Sequence, residues 1–342
     1  MSAERRPLLL AAALAAVLAA VPAFADDFVL SVLAVVFRTA FVGIAWNLMM
    51  GYAGQLSLGH ALYFGTGAYL VGVLAIRHGV SPWLGMAAAF AVPAALGTAI
   101  GALGYRFAVR GVYFALLTIA FAEFARIVFE HWEYVGKAGG LYFPALAAGN
   151  LPLESLRGGA RFFYYALLVL MLAGWGLAAV LVASPLGYRW RAVREDEDAA
   201  RAIGVPALRV KLAAVALSGG LTGIAGGWFG LMSGSLFPDS VLGMQVSIEM
   251  IVAPILGGLG TLFGPILGAA IAVPLGELSR DLSQQFHLNG LNLLIYGALL
   301  MAMVWIAPQG CWPWLAARLG LGRRRPDVPL ERGRPAVGTG AP

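Results

Sequence analysis

Two apolar runs of 21 residues, Phe162 to Val182 and Leu212 to Met232, bracket a short stretch dense in charge. As a helix, a run of that length crosses the hydrocarbon core of a bilayer, about 30 Å thick. Within hydrocarbon every backbone N–H and C=O must be satisfied by protein, so only helices and closed barrels span it. These runs are continuous and rich in Ala, Leu and Gly, without alternation of polar and apolar residues, so they read as helices. Residues 187–211 between them hold ten charged residues in 25. Such a stretch cannot lie in hydrocarbon. It is a water-exposed loop at one membrane surface.

The whole chain has the same character. It is 60% hydrophobic and 12% charged over 342 residues, with a mean hydropathy of +0.82. Soluble domains carry about twice that charge. The fold class expected is an all-α polytopic integral membrane protein in a lipid bilayer. The net charge of +6 does not require a nucleic-acid partner, because arginines in cytoplasmic loops set the topology of such chains. Cys311 is the single cysteine, which excludes an internal disulfide and any multi-cysteine metal site.

Taken in order, residues 1–27 read two ways. Arg5 and Arg6, the apolar run Leu8 to Val21 and the small residues Ala23 and Ala25 have the layout of a signal peptide. The reading taken is an uncleaved first transmembrane helix. Further spans are expected at Phe28–Met50, Leu56–Ile76, Trp83–Leu103, Val112–Phe129 and Phe162–Val182, with an external loop over Glu130–Arg161. Pro185 ends the sixth span. After Leu212–Met232, the segment Val246–Leu278 is too long for one span. Its run Gly257-Gly258-Leu259-Gly260-Thr261-Leu262-Phe263-Gly264-Pro265 divides it into two. Leu288–Ala307 is the last, and residues 311–342 form a largely disordered tail. That makes about ten helices, with eight or nine if some segments are re-entrant. The N-terminus, the loop at Arg106 and Arg110, the charged stretch and the tail together hold 16 of the 23 Lys and Arg. That side, with both termini, is the expected cytoplasm.

Within the charged stretch, Arg194 to Ile203 has helical propensity. Glu195, Asp196, Glu197 and Asp198 crowd its first turns, where the helix dipole favours acids. Gly204 stands where a left-handed cap would stop it, and Pro206 follows. Ala199 and Ala200 give it a smooth side able to press into a groove; a solvated loop is the alternative reading. In and between the second and third spans Asn47, Gln55, Ser57 and His60 place hydrogen-bonding groups at membrane depth among Gly51, Gly54, Gly59 and Gly65. They read either as helix-packing groups or as part of a translocation path. Glu123 and Arg126 stand three residues apart and can neutralise each other, with Arg38 as a second partner for Glu123. Glu249 lies just inside an external end and either lines the path or reaches the interface. No catalytic constellation, metal cluster or phosphate-binding loop emerges, and no cofactor is implied; the chain is not expected to hydrolyse ATP.

Two motifs resemble a known family. Asp198-Ala199-Ala200-Arg201-Ala202-Ile203-Gly204 resembles the E-A-A-x-x-x-G coupling loop of ABC importer permeases, with Asp in place of Glu. The proline that ends that loop in the family is absent. Trp46-Asn47-Leu48-Met49-Met50-Gly51-Tyr52-Ala53-Gly54-Gln55-Leu56-Ser57-Leu58-Gly59-His60 is similar to the hallmark of branched-chain amino acid permeases of the LivM type. Arg110 to Thr118, the charged stretch with Ser218-Gly219 and Ala225-Gly226, and Ser247-Ile248-Glu249 with Gly257 to Pro265 agree in order, so the resemblance covers roughly residues 28–310. The external stretch Val135 to Leu141 departs from the family's Thr-Gly-Gly motif. The resemblance implies an inner-membrane importer subunit working with a second homologous permease, two ATPase subunits and a periplasmic substrate-binding protein. It carries branched-chain or other hydrophobic amino acids, with urea or short amides as a variant. It implies docking on the ATPase through Arg194, Glu195, Glu197, Asp198, Ala199, Ala200 and Gly204. The alternative from the residues alone is a stand-alone secondary transporter.

Overall fold

The computed structural model describes residues 17–144 and 152–285, and beyond them 294–295, 297–298, 301–302, 305 and 309–318. Leu8 to Ala16 of the first expected span, most of Leu288–Ala307 and residues 319–342 lie outside the described residues.

Helix α1, Asp27–Asn47, starts where the Asp26 carboxylate accepts a 2.9 Å bond from the Val29 N–H. It runs on into a five-residue π turn, Leu48–Tyr52. Helices α2 (Ala61–His78), α3 (Pro82–Arg106), α4 (Val112–His131) and α5 (Ala160–Ala183) follow. The charged stretch forms α6 (Pro185–Glu195) and α7 (Glu197–Ala202). Then come α8 (Ala207–Ser233), α9 (Met244–Gly257), α10 (Gly264–Gln285) and α11 (Cys311–Arg318). Six of the described helical segments are long and apolar enough to cross a membrane. The expected division of Val246–Leu278 is seen as α9 and α10, with the turn 258–263 between them.

Three differences from the sequence reading have physical causes. Leu56–Leu58 are not helical, and α2 begins at Ala61. The backbone there is satisfied sideways: the Leu58 N–H donates to Thr118 Oγ1 at 3.1 Å and the Ala61 N–H to Ser247 Oγ at 2.9 Å. The loop 132–143 is not merely irregular. It holds a short strand, β1 (Leu141–Tyr142), antiparallel to β2 (Ser235–Leu236) beyond α8. Eight residues of the expected tail form α11, and Pro313 packs on Gly258 in the α9–α10 turn.

A seam of small residues runs through the core. A side chain on Gly67 of α2 would collide with the backbone of Gly223 of α8. One on Gly223 would collide with the Ala89 carbonyl of α3, and one on Gly226 with the Phe64 carbonyl. Lipid supplies no hydrophobic drive between helices, so such close backbone approach and its dispersion contacts hold the bundle. On the other flank Gly174 of α5 faces the Phe41 ring of α1.

Candidate site where the charged arm meets the bundle

Helices α6 and α7 form one arm, broken at Asp196. Ser184 caps α6, with Pro185 in its first position, where a missing N–H costs nothing. Asp196 is extended, and its carboxylate accepts from the Asp198 and Ala199 N–H groups, both at 2.9 Å. The single helix expected from Arg194 to Ile203 is therefore two, because Asp196 caps a new start rather than continuing the old one. Gly204 ends α7 with φ +88°, a conformation L side chains rarely adopt.

Several ties fix the arm to the bundle, among them a bond from Arg201 Nη2 to the Tyr105 hydroxyl of α3 at 2.7 Å. Trp190 is fully buried and its Nε1 donates to the Val210 carbonyl at 2.8 Å. Glu197 accepts from Lys211 at the start of α8 and from Arg201, and Arg110 Nε lies 4.0 Å away. Arg194 Nη1 donates to the Gly51 carbonyl in the π turn. Trp190 and the Arg194 contact were not legible in the sequence; an aromatic inside a polar stretch was the one available signal for the first.

The Gly51 end of α1 is itself clamped. Asn47 donates through Nδ2 to the Thr261 carbonyl at 2.9 Å and accepts at Oδ1 from the Gly260 N–H at 2.8 Å. Thus Asn47, Gly51, the α9–α10 turn and Arg194 meet at one end of the molecule. Gln55 lines a cavity of about 410 Å³ there, with Arg110, Arg194, Glu197 and Lys211 on its walls. Ser57 and His60 lie deeper and are fully buried. His60 Nδ1 is 3.0 Å from Ser57 Oγ and Nε2 is 2.9 Å from Ser218 Oγ, while Trp46 Nε1 donates to the Ser57 carbonyl at 2.8 Å. These groups bind α1, the loop 53–60 and α8 together.

Glu249 stands apart from all of them. It lines a second cavity, about 520 Å³, with Arg38, Thr39, Phe229 and Arg280. Arg38 stacks on Phe229 instead of pairing with Glu123. Glu123 bonds Arg126, as the spacing predicts, and Arg126 also holds Glu130 and Asp239.

On the arm's outer face the residues separate. Asp198, Ala199, Arg201, Ala202 and Gly204 are exposed, whereas Ala200 is buried against the bundle at 3% exposure. The smooth side expected from Ala199 and Ala200 is therefore not one face. Ile203, not singled out in the sequence, is 79% exposed and supplies the apolar tip.

The Glu197 carboxyl is lowered from its ordinary value of 4.5. Partial burial pushes it up, but the Lys211 hydrogen bond and the charges of Lys211, Arg110 and Arg201 outweigh that. A depressed folded-state value gives stability that is present above about pH 4.5 and lost as pH falls through the lowered value. Protease cleavage of the arm in bilayer nanodiscs is expected to stay slow at neutral pH and to accelerate in acid below that point. In Glu197→Gln the arm is cleaved faster at neutral pH and the acid dependence flattens.

The described residues thus form a largely helical, multi-span bundle with a charged arm pinned to the end of a buried polar loop. The chain belongs to the family described as "Branched-chain amino acid transport system / permease component", whose model matches residues 28–304. Among relatives, it is 30% identical to the high-affinity branched-chain amino acid transport system permease protein LivM of Salmonella typhimurium. That match covers 82% of this chain and 69% of the relative. It is 29% identical to LivM of Escherichia coli K12 over the same shares. It is 24% identical to the permease protein BraD of Pseudomonas aeruginosa, covering 78% of this chain and 88% of that one. No solved structure matches the chain.

Proposed function

We propose that this permease subunit carries branched-chain or other hydrophobic amino acids inward across the inner membrane, with ATP hydrolysed by two partner subunits. A second homologous permease completes the pathway, and a periplasmic binding protein delivers substrate. The charged stretch 187–211 and both termini face the cytoplasm, and α7 with Ile203 docks on an ATPase.

One observation carries this reading: the arm is bonded through Arg194 to Gly51 in the π turn, directly after Asn47, which clamps the α9–α10 turn. A displacement of α7 by an ATPase is therefore delivered to the loop 53–60 and to Gln55. Ser57 and His60 hold that loop to α8 so that it moves as a unit.

Leucine uptake is expected to stop when the ATPase genes are deleted; uptake that persists favours a secondary transporter. Arg194→Ala is expected to keep the ATPases bound during purification while uptake per complex falls about tenfold, the size of a lost charge-assisted hydrogen bond. Full uptake in that variant would remove the link from the coupling path.

A further inference from the structure

Arg38 lies near the middle of α1, where a charge is hard to accommodate. Its guanidinium stacks 4.8 Å from the Phe229 ring centroid and 5.8 Å from that of Phe64. Among the described residues its buried Nη1 has no hydrogen-bond partner. A buried donor left unpaired opposes folding, so its retention calls for a reason.

Arg38 also stands on the wall of a cavity. On the same walls stands Glu249, which accepts a 3.3 Å bond from Gln245 and has acceptor capacity to spare. The other two charges there, Glu277 and Arg280, are bonded to each other at 2.8 Å. The cavity thus offers one cationic donor and one carboxylate, of opposite sign and not bonded to each other. The rest of its wall is largely apolar, including Val35, Met232 and Val252. A recess beside Arg38 is lined by Val42, Phe64, Phe229 and Met250. About 520 Å³ is within the range of small-ligand pockets.

We propose that Arg38 and Glu249 form a binding site for a free zwitterionic α-amino acid, Arg38 taking its carboxylate and Glu249 its ammonium, with an aliphatic side chain against Phe64 and Phe229. This rests on the permease reading and sharpens it. A neutral amide leaves two opposed full charges unneutralised, whereas a zwitterion neutralises both. Arginine suits a carboxylate because its fork donates two parallel bonds.

The test uses the complete complex, with its ATPases, second permease and binding protein, in proteoliposomes given radiolabelled leucine. Per assembled complex, uptake is expected to fall about tenfold or more in Arg38→Gln and in Glu249→Gln, with partial recovery in Arg38→Lys. A second measurement does not depend on those variants assembling. In a Thr39→Cys, Cys311→Ser protein, leucine is expected to slow alkylation of the new thiol. 4-Methylpentanoate, which lacks the ammonium, and isoamylamine, which lacks the carboxylate, are expected not to. Normal leucine uptake by Arg38→Gln, or equal protection by all three compounds, overturns the site and leaves the permease reading standing. A native complex that takes up a short amide but not leucine overturns both.

Discussion

Replacing Ile203 by glutamate together with Ala199 by arginine is expected to abolish recovery of the ATPase subunits with the permease, and uptake with it. The membrane part should stay folded, with unchanged elution on size exclusion. Both side chains are exposed on the arm, so their replacement is not expected to unfold the bundle. An exposed aliphatic tip on a short capped helix, flanked by small residues, is the form a docking knob takes, and a buried charge at such a contact is strongly unfavourable. Ala200 provides the contrast. It is buried under α7, so Ala200→Arg should loosen the arm itself and expose it to protease. ATPases that still co-purify with the Ile203 and Ala199 double variant would move the docking surface elsewhere.

Replacing Gly223 by leucine is expected to prevent the bundle from forming, while Gly176→Leu leaves it intact. A side chain at Gly223 runs into the backbone of Ala89 and the Pro93 ring, and backbone cannot step aside as a flexible side chain would. At Gly176 there is nothing within 4 Å. The first change costs at least about 3 kcal/mol, the upper end of overpacking penalties. The check is the fraction of monodisperse protein after detergent extraction: near none for Gly223→Leu, near native for Gly176→Leu. A monodisperse Gly223→Leu protein would mean that α2, α3 and α8 are not in backbone contact.

Six of the expected transmembrane segments were legible because span length and apolarity are local properties; most of the first and last lies outside the described residues. The division at residues 258–263 was legible too, since glycine and proline mark it in the chain itself. What was not legible depends on distant partners. Leu56 to His60 read as the start of a span in sequence; they stay outside the helix, with Thr118 taking the Leu58 N–H and Ser247 the Ala61 N–H where α2 begins. The inward turn of Ala200 follows from Asp196 restarting the helix, and four acids in a row give no sign of which one caps. Arg38 reads as one more charge in search of an acid. Only the packing of α1 against α8 shows it stacked on phenylalanine and facing Glu249 across a cavity. The Asn47 clamp joins residues more than two hundred positions apart, beyond the reach of any local pattern.

The π turn at Leu48–Tyr52 sets the angular phase of everything that follows it. Deleting one residue there would let an ordinary α-helix form, rotating the chain beyond it by about 100°. Gly51 would then point its carbonyl away from Arg194, and Ser57 would no longer lie under Trp46. The extra residue in that turn is thus the spacer that brings an otherwise regular helix into step with both the arm and the core.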